Sequence, residues 1–142
     1  MEVQLKLIGI VLMILSLVHA IFPKYFNWAD ELGRLSLVNR QMMYVHTFFI
    51  GLVLFLMGLL CLVSTDCIIH TKLGNQISLG FGVFWLARLM VQFFGYSSKL
   101  WKGKRLESII HIVFSILWLY LSVFFLWFVY LWGVLKILPN PS

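Results

Sequence analysis

The sequence predicts an all-α polytopic membrane protein with four transmembrane helices and a short interfacial helix in the first loop. Of its 142 residues, 62% are hydrophobic and only 11% are charged, whereas soluble domains carry about 25% charged residues. Four apolar runs approach or exceed the roughly 20 residues that a helix needs to cross the hydrocarbon core. Because no linker or low-complexity tract divides the chain, we expect a single domain over residues 1–142.

The four predicted spans cover residues 5–22, 42–63, 73–96 and 108–135. The first is short, but the Lys6 side chain can reach the headgroups and let the helix begin earlier, and we expect Pro23 to end it. The second is uninterrupted, the third contains Arg88 and Gln92, and the fourth is long enough to tilt or protrude. Residues 1–20 also fit a cleavable signal peptide, an alternative that N-terminal sequencing would distinguish.

The first loop, residues 23–41, predicts a short helix lying in the membrane interface. Asn27 followed by Asp30 and Glu31 is typical of a helix start, where a side-chain acceptor and early acidic residues meet free amide groups. Trp28, Leu32 and further apolar residues recur behind it at roughly helical spacing. One side of this segment is therefore apolar and the other is polar and faces water, as interfacial helices require.

The distribution of Lys and Arg predicts the orientation in the membrane. Loops one and three hold seven of these residues and the opposite side holds three, so loops one and three should be cytoplasmic and both termini outside. The plasma (inner) membrane is the default location. The net charge of +6 indicates contact with anionic lipid headgroups and not with nucleic acid, because the basic residues lie in short connectors. The seven are Lys24, Arg34, Arg40, Lys99, Lys102, Lys104 and Arg105; the three are Lys6, Lys72 and Lys136.

Small residues predict where helices pack closely. Gly74, Ser78 and Gly82 recur every four residues along one side of the third span, the small-xxx-small arrangement that lets backbones approach. Gly51 and Gly58 provide a similar face on the second span. These faces are suited either to packing within the chain or to self-association and contact with other membrane subunits.

Polar residues inside the spans are the candidate functional site. His19 lies about one turn inside the end of the first span, and His46 and His111 lie about one turn inside the starts of the second and fourth. Since those ends share one membrane face, the three imidazoles should occupy a similar depth. Gln92 lies about one turn from Tyr96 and Arg88 another turn deeper, while Arg40 and Tyr44 cap the group from the cytoplasmic side. We expect one polar pocket near the cytoplasmic face, formed by His19, His46, His111, Arg88, Gln92, Tyr96, Arg40 and Tyr44.

Several kinds of chemistry suit such a pocket. Two imidazoles could hold a haem iron, with an arginine for its propionates, and all three could bind a transition metal. Without a metal, Arg88, Gln92 and the histidines could bind a lipid phosphate, a quinone carbonyl or a carboxylate of another subunit. Proton or ion passage is a further reading. The structural alternative is that each imidazole bonds a backbone carbonyl and Arg88 bonds Gln92.

The sequence favours a binding or accessory role over catalysis. It contains no nucleophile elbow, phosphate-binding glycine loop or zinc-protease motif, and no carboxylate pair lies within a span. We therefore expect a small accessory or ligand-binding and lipid-binding subunit of a membrane complex. The rival hypothesis is a haem-bearing or metal-bearing redox protein that uses His19, His46 and His111.

Overall fold

The computed structural model describes residues 1–95 and 105–137, and all regular structure in these ranges is helical. Four of the helices are long and apolar enough to cross a membrane, which confirms the all-α class of a multi-pass membrane protein. In chain order, the elements are α1 (Glu2–Tyr25), α2 (Trp28–Glu31), a 3₁₀ helix (Leu32–Arg34), α3 (Leu37–Val63), α4 (Thr65–His70), α5 (Lys72–Phe94) and α6 (Arg105–Ile137).

The chain divides into two compact units, Met1–Asp66 and Cys67–Ser142. Unit 1 contains the antiparallel pair of α1 and α3, and unit 2 contains the pair of α5 and α6. The expectation of one four-helix domain, and the assignment of loops to membrane faces, stay predictions.

Helix α1 begins and ends beyond the predicted span. It starts at Glu2, whose carboxylate bonds the Lys6 ammonium at 2.6 Å, so a charged pair one turn apart stands at the helix start. The expectation that Pro23 ends the helix is wrong, because α1 continues to Tyr25 with Pro23 inside it. A proline in the last turn removes a single backbone hydrogen bond, and the remaining turn still closes through the bond from Phe26 N to the Phe22 carbonyl at 2.9 Å.

The first loop does contain a short helix, built differently from the expectation. Helix α2 has four residues before the chain tightens into the 3₁₀ turn. Asn27 is its N-cap residue but has a left-handed backbone (φ 47°), and its side chain makes no capping bond. The amide instead donates to the Asp30 carboxylate at 2.7 Å. Helix α3 then starts at Leu37, five residues before the predicted boundary, because Ser36 caps it by accepting from Asn39 N.

Unit 2 is built on the small-residue face of α5. A Cβ on Gly82 would lie 2.6 Å from a methyl carbon of Leu126 on α6, and one on Gly74 would collide with the backbone of Cys67 and Ile68. Ser78, between them, is fully buried. This face therefore packs within the chain, and self-association through Gly74, Ser78 and Gly82 stays a prediction.

Candidate ligand-binding site

Unit 1 contains a half-open cavity of about 500 Å³ along α1 and α3. This volume lies within the range of small-molecule sites, which are mostly apolar with a few polar groups. The cavity follows that pattern, and none of its lining residues carries a fixed charge. We call it the α1/α3 cavity, and it is lined by Ser16, Leu17, His19, Ala20, Pro23, Tyr44, Thr47, Phe48, Gly51, Leu52 and Phe55.

Two glycines, one near the start of α1 and one near the end of α3, bring the helices into close contact away from the cavity. A Cβ on Gly58 would lie 2.7 Å from the Gly9 carbonyl oxygen, and one on Gly9 would lie 2.8 Å from the Gly58 carbonyl. Nearer the cavity, the Ser16 hydroxyl donates to the Gly51 carbonyl at 2.7 Å. The two helices are therefore in close contact at these points.

His19 is the polar group of the cavity wall whose chemistry is best defined. Its Nδ1 lies 2.8 Å from the Leu15 carbonyl oxygen, and since a carbonyl only accepts, Nδ1 must carry the proton. In the neutral imidazole, Nε2 is then a hydrogen-bond acceptor. The ring also packs on Phe22 with centroids 4.7 Å apart, which restricts its rotation.

Tyr44 and Thr47 line the opposite wall, on α3. Tyr44 lies about 10 Å from the start of α3, and His19 about 9 Å from the end of α1, by the rise of a helix. The Tyr44 ring contacts Trp28 of α2 edge to face, with centroids 5.4 Å apart. The short loop helix thus lies against a residue of the cavity wall.

The other two unit 1 candidates do not line this cavity. His46 is exposed, and its Nδ1 donates to the Met42 carbonyl at 2.8 Å. Arg40 is half-buried near the start of α3. Of the predicted site residues in this unit, the structure therefore brings His19 and Tyr44 together and leaves His46 and Arg40 outside.

In unit 2 the structure brings together Arg88, Gln92 and His111. The Arg88 guanidinium donates to the Gln92 side-chain oxygen at 3.1 Å and lies 5.1 Å from the ring centre of Trp118, within cation–π range. The His111 Nε2 lies 3.4 Å from the Gln92 backbone oxygen, to which it donates. Tyr96, the remaining candidate, lies outside the described residues.

Trp118 also stacks on Trp85, with centroids 5.0 Å apart and planes inclined by 9°. Both tryptophans are buried, and within the described part of the chain neither indole N–H has an acceptor. An unmatched buried donor costs about 1–3 kcal/mol, so the stacked pair is retained at some cost to stability. The sequence analysis did not find this pairing of Trp118 with Trp85.

The residues do not support the expectation of a three-histidine metal centre. Within residues 1–95 and 105–137, no three His, Cys, Asp or Glu side chains are grouped so that they could hold a metal ion. His19 and His46 lie in unit 1 and His111 lies in unit 2. Each imidazole bonds a backbone carbonyl, which is the arrangement that the structural alternative requires.

Ser16, Pro23 and Thr47 line the cavity but were not among the predicted site residues. One signal could have found this helix pair: Gly9 and Ser16 are seven residues apart, the same spacing as Gly51 and Gly58 on α3. Two small-residue faces with equal spacing are typical of helices that pack against each other.

Comparison of the chain with known protein families, with curated proteins and with solved structures finds no match. The functional argument therefore depends on the geometry and chemistry of these residues.

Proposed function

We propose that this chain is a small membrane subunit that binds a lipid-soluble molecule in the α1/α3 cavity. The observation that carries the proposal is the combination of a 500 Å³ apolar cavity with an oriented imidazole on its wall. A cavity of this kind inside a membrane protein is open to molecules that partition into lipid, and the few polar groups select among them.

The Arg88 group in unit 2 supports a structural role beside that binding role. Arg88 has a hydrogen-bond acceptor in Gln92 and an aromatic partner in Trp118. A charged side chain in a span is costly unless it is paired, and these contacts provide that pairing. Ligand binding is therefore assigned to unit 1.

The proposal can be tested by photolabelling in phosphatidylcholine vesicles with a neutral long-chain alkyl probe that carries a diazirine. We expect crosslinks to concentrate on cavity-lining residues such as Leu52 and Phe55, relative to outward-facing residues of the same helices. Thr47→Phe, which places a ring in the cavity, should reduce that labelling several-fold.

Val45→Phe is the matched control, because Val45 is 50% exposed on the same helix and does not line the cavity. It should leave the labelling pattern unchanged. Equal labelling of lining and outward-facing residues, with no effect of Thr47→Phe, would overturn the proposal.

A further inference from the structure

We infer that the α1/α3 cavity selects a neutral lipid whose headgroup is a hydroxyl, which donates a hydrogen bond to His19. This inference rests on the proposed function and adds the chemical class of the occupant. It follows from two acceptors of His19, the ring Nε2 and the backbone carbonyl, of which the second lacks its helical donor because of Pro23.

The first acceptor is the His19 imidazole. Its Nδ1 proton is committed to the Leu15 carbonyl at 2.8 Å, so the neutral ring presents the Nε2 lone pair. A ligand atom that bonds this nitrogen must be a donor. A carbonyl or ether oxygen has no proton to give, whereas a hydroxyl has one.

The second acceptor is the His19 backbone carbonyl. In an α-helix this oxygen accepts from the N–H four residues later, and here that residue is Pro23, which has none. Both His19 and Pro23 line the cavity, and α1 remains helical through Pro23. The regular donor of the His19 carbonyl is therefore missing on the wall where a ligand would lie, and backbone groups in hydrocarbon need a partner.

The charge of the lining residues decides between a neutral and an anionic headgroup. None of the residues around the cavity is Lys or Arg, and phosphate or carboxylate sites in proteins use cationic side chains. A phosphate buried here would have no counter-charge among them. Leu17, Phe48, Leu52 and Phe55 supply the apolar surface that a hydrocarbon tail requires.

The position of the acceptors along the helices also fits an amphiphile. His19 lies about 9 Å from the end of α1, and the lining residues of α3 extend about 16 Å from Tyr44 to Phe55 by the helical rise. The Ser16 hydroxyl already donates to the Gly51 carbonyl, and the other polar side chains of the lining lie nearer the helix termini than Leu52 and Phe55. A lipid with its hydroxyl near the helix termini and its hydrocarbon tail along the apolar residues toward the middle of the spans would match this arrangement.

The test compares two diazirine probes with the same long alkyl chain, one a primary alcohol and the other its methyl ether, in phosphatidylcholine vesicles. We expect the alcohol to label the cavity about 3-fold to 10-fold more efficiently, the range of one net hydrogen bond. His19→Phe, which keeps an aromatic ring beside Phe22, should remove most of that preference.

Pro23→Ala provides an independent second variant. It supplies the missing N–H to the His19 carbonyl, so the imidazole is the one acceptor left for the hydroxyl proton. The preference for the alcohol should therefore fall in part, and by less than in His19→Phe. His46→Phe is the matched control, because His46 has the same bond from Nδ1 to a carbonyl four residues earlier but does not line the cavity. It should retain the full preference.

The outcomes separate the two proposals. Equal labelling of the cavity by alcohol and ether would overturn the hydroxyl inference and leave the proposed function standing. Labelling of the cavity by neither the alcohol nor the ether would overturn both. Loss of preference in His46→Phe as large as in His19→Phe would also contradict the inference, since it would place the selecting group elsewhere.

Discussion

Three histidines that the sequence places near span ends, His19, His46 and His111, each use one ring nitrogen to bond a backbone carbonyl. The bond fixes the tautomer of His19 and His46, and so decides which nitrogen is left to accept. Of the three, His19 is the one that lines the α1/α3 cavity. At the scale of single residues, therefore, His19 differs from His46 and His111 in its position and not in its chemistry.

The bond between Arg88 and Gln92 should be energetically measurable. Gln92 is buried and Arg88 is half-buried, so the interaction is partly screened by its surroundings. In a double-mutant cycle with Arg88→Ala and Gln92→Ala, we expect a coupling free energy of unfolding of about 1 kcal/mol. The measurement is reversible unfolding of the purified protein in mixed detergent micelles.

The control cycle pairs Arg88→Ala with Asn75→Ala, thirteen residues and about 20 Å away along α5. Those two changes should be additive. A coupling between Arg88 and Gln92 no larger than in this control would show that the observed bond contributes nothing to stability.

At the scale of elements, the pairing of α1 with α3 depends on close backbone contact. The helices meet where Gly9 and Gly58 face each other, and the atoms that would collide with an added Cβ on Gly58 include the Gly9 carbonyl oxygen at 2.7 Å and the Met13 backbone nitrogen at 3.1 Å. Backbone atoms cannot rotate away as a side chain can. The cavity nearer the other end of the pair is therefore positioned by these glycines.

Gly58→Ala should consequently destabilise the protein by about 1–3 kcal/mol, the usual cost of overpacking. Gly80→Ala is the matched control: Gly80 is also helical, but nothing lies within 4 Å of an added Cβ. It should be neutral or slightly stabilising because alanine favours the helix. Thermal denaturation in the same detergent measures both, and equal effects of the two substitutions would contradict the packing argument.

At the scale of the whole molecule, four apolar helices alternate with connections that differ in charge. Helix α3 has Arg34 before its start, and the exposed Cys67 follows its end. If α3 crosses the membrane once, these two positions lie on opposite faces. The excess of Lys and Arg predicts that Arg34 is on the cytoplasmic face.

Cysteine labelling can test that orientation with a natural reporter. A membrane-impermeant maleimide added to intact cells should react with Cys67 of the native protein. In a Cys67→Ser background, Arg34→Cys should react only after the membrane is permeabilised. Cys67→Ser alone should remain unlabelled because Cys61 is fully buried, and the reverse pattern would show that the orientation is inverted.

The sequence by itself determined the fold class, the four spans and the packing role of several small residues, because hydropathy and residue size act locally along the chain. Helix boundaries were harder to predict from the sequence. Pro23 was expected to end α1, but the helix continues past it because a proline in the last turn removes only one hydrogen bond. Capping by Ser36 likewise moved the start of α3. These deviations come from single local bonds that a hydropathy pattern does not contain.

Only the tertiary structure decided which polar residues share a site. The pattern along the sequence gives a depth for His19, Tyr44 and His46 but not the rotation of each helix about its axis. That rotation is set by the contacts of Gly9 with Gly58 and of Ser16 with Gly51, which place His19 and Tyr44 on the cavity and leave His46 outside it. Side-chain packing across two helices, which no local pattern records, therefore defined the candidate site.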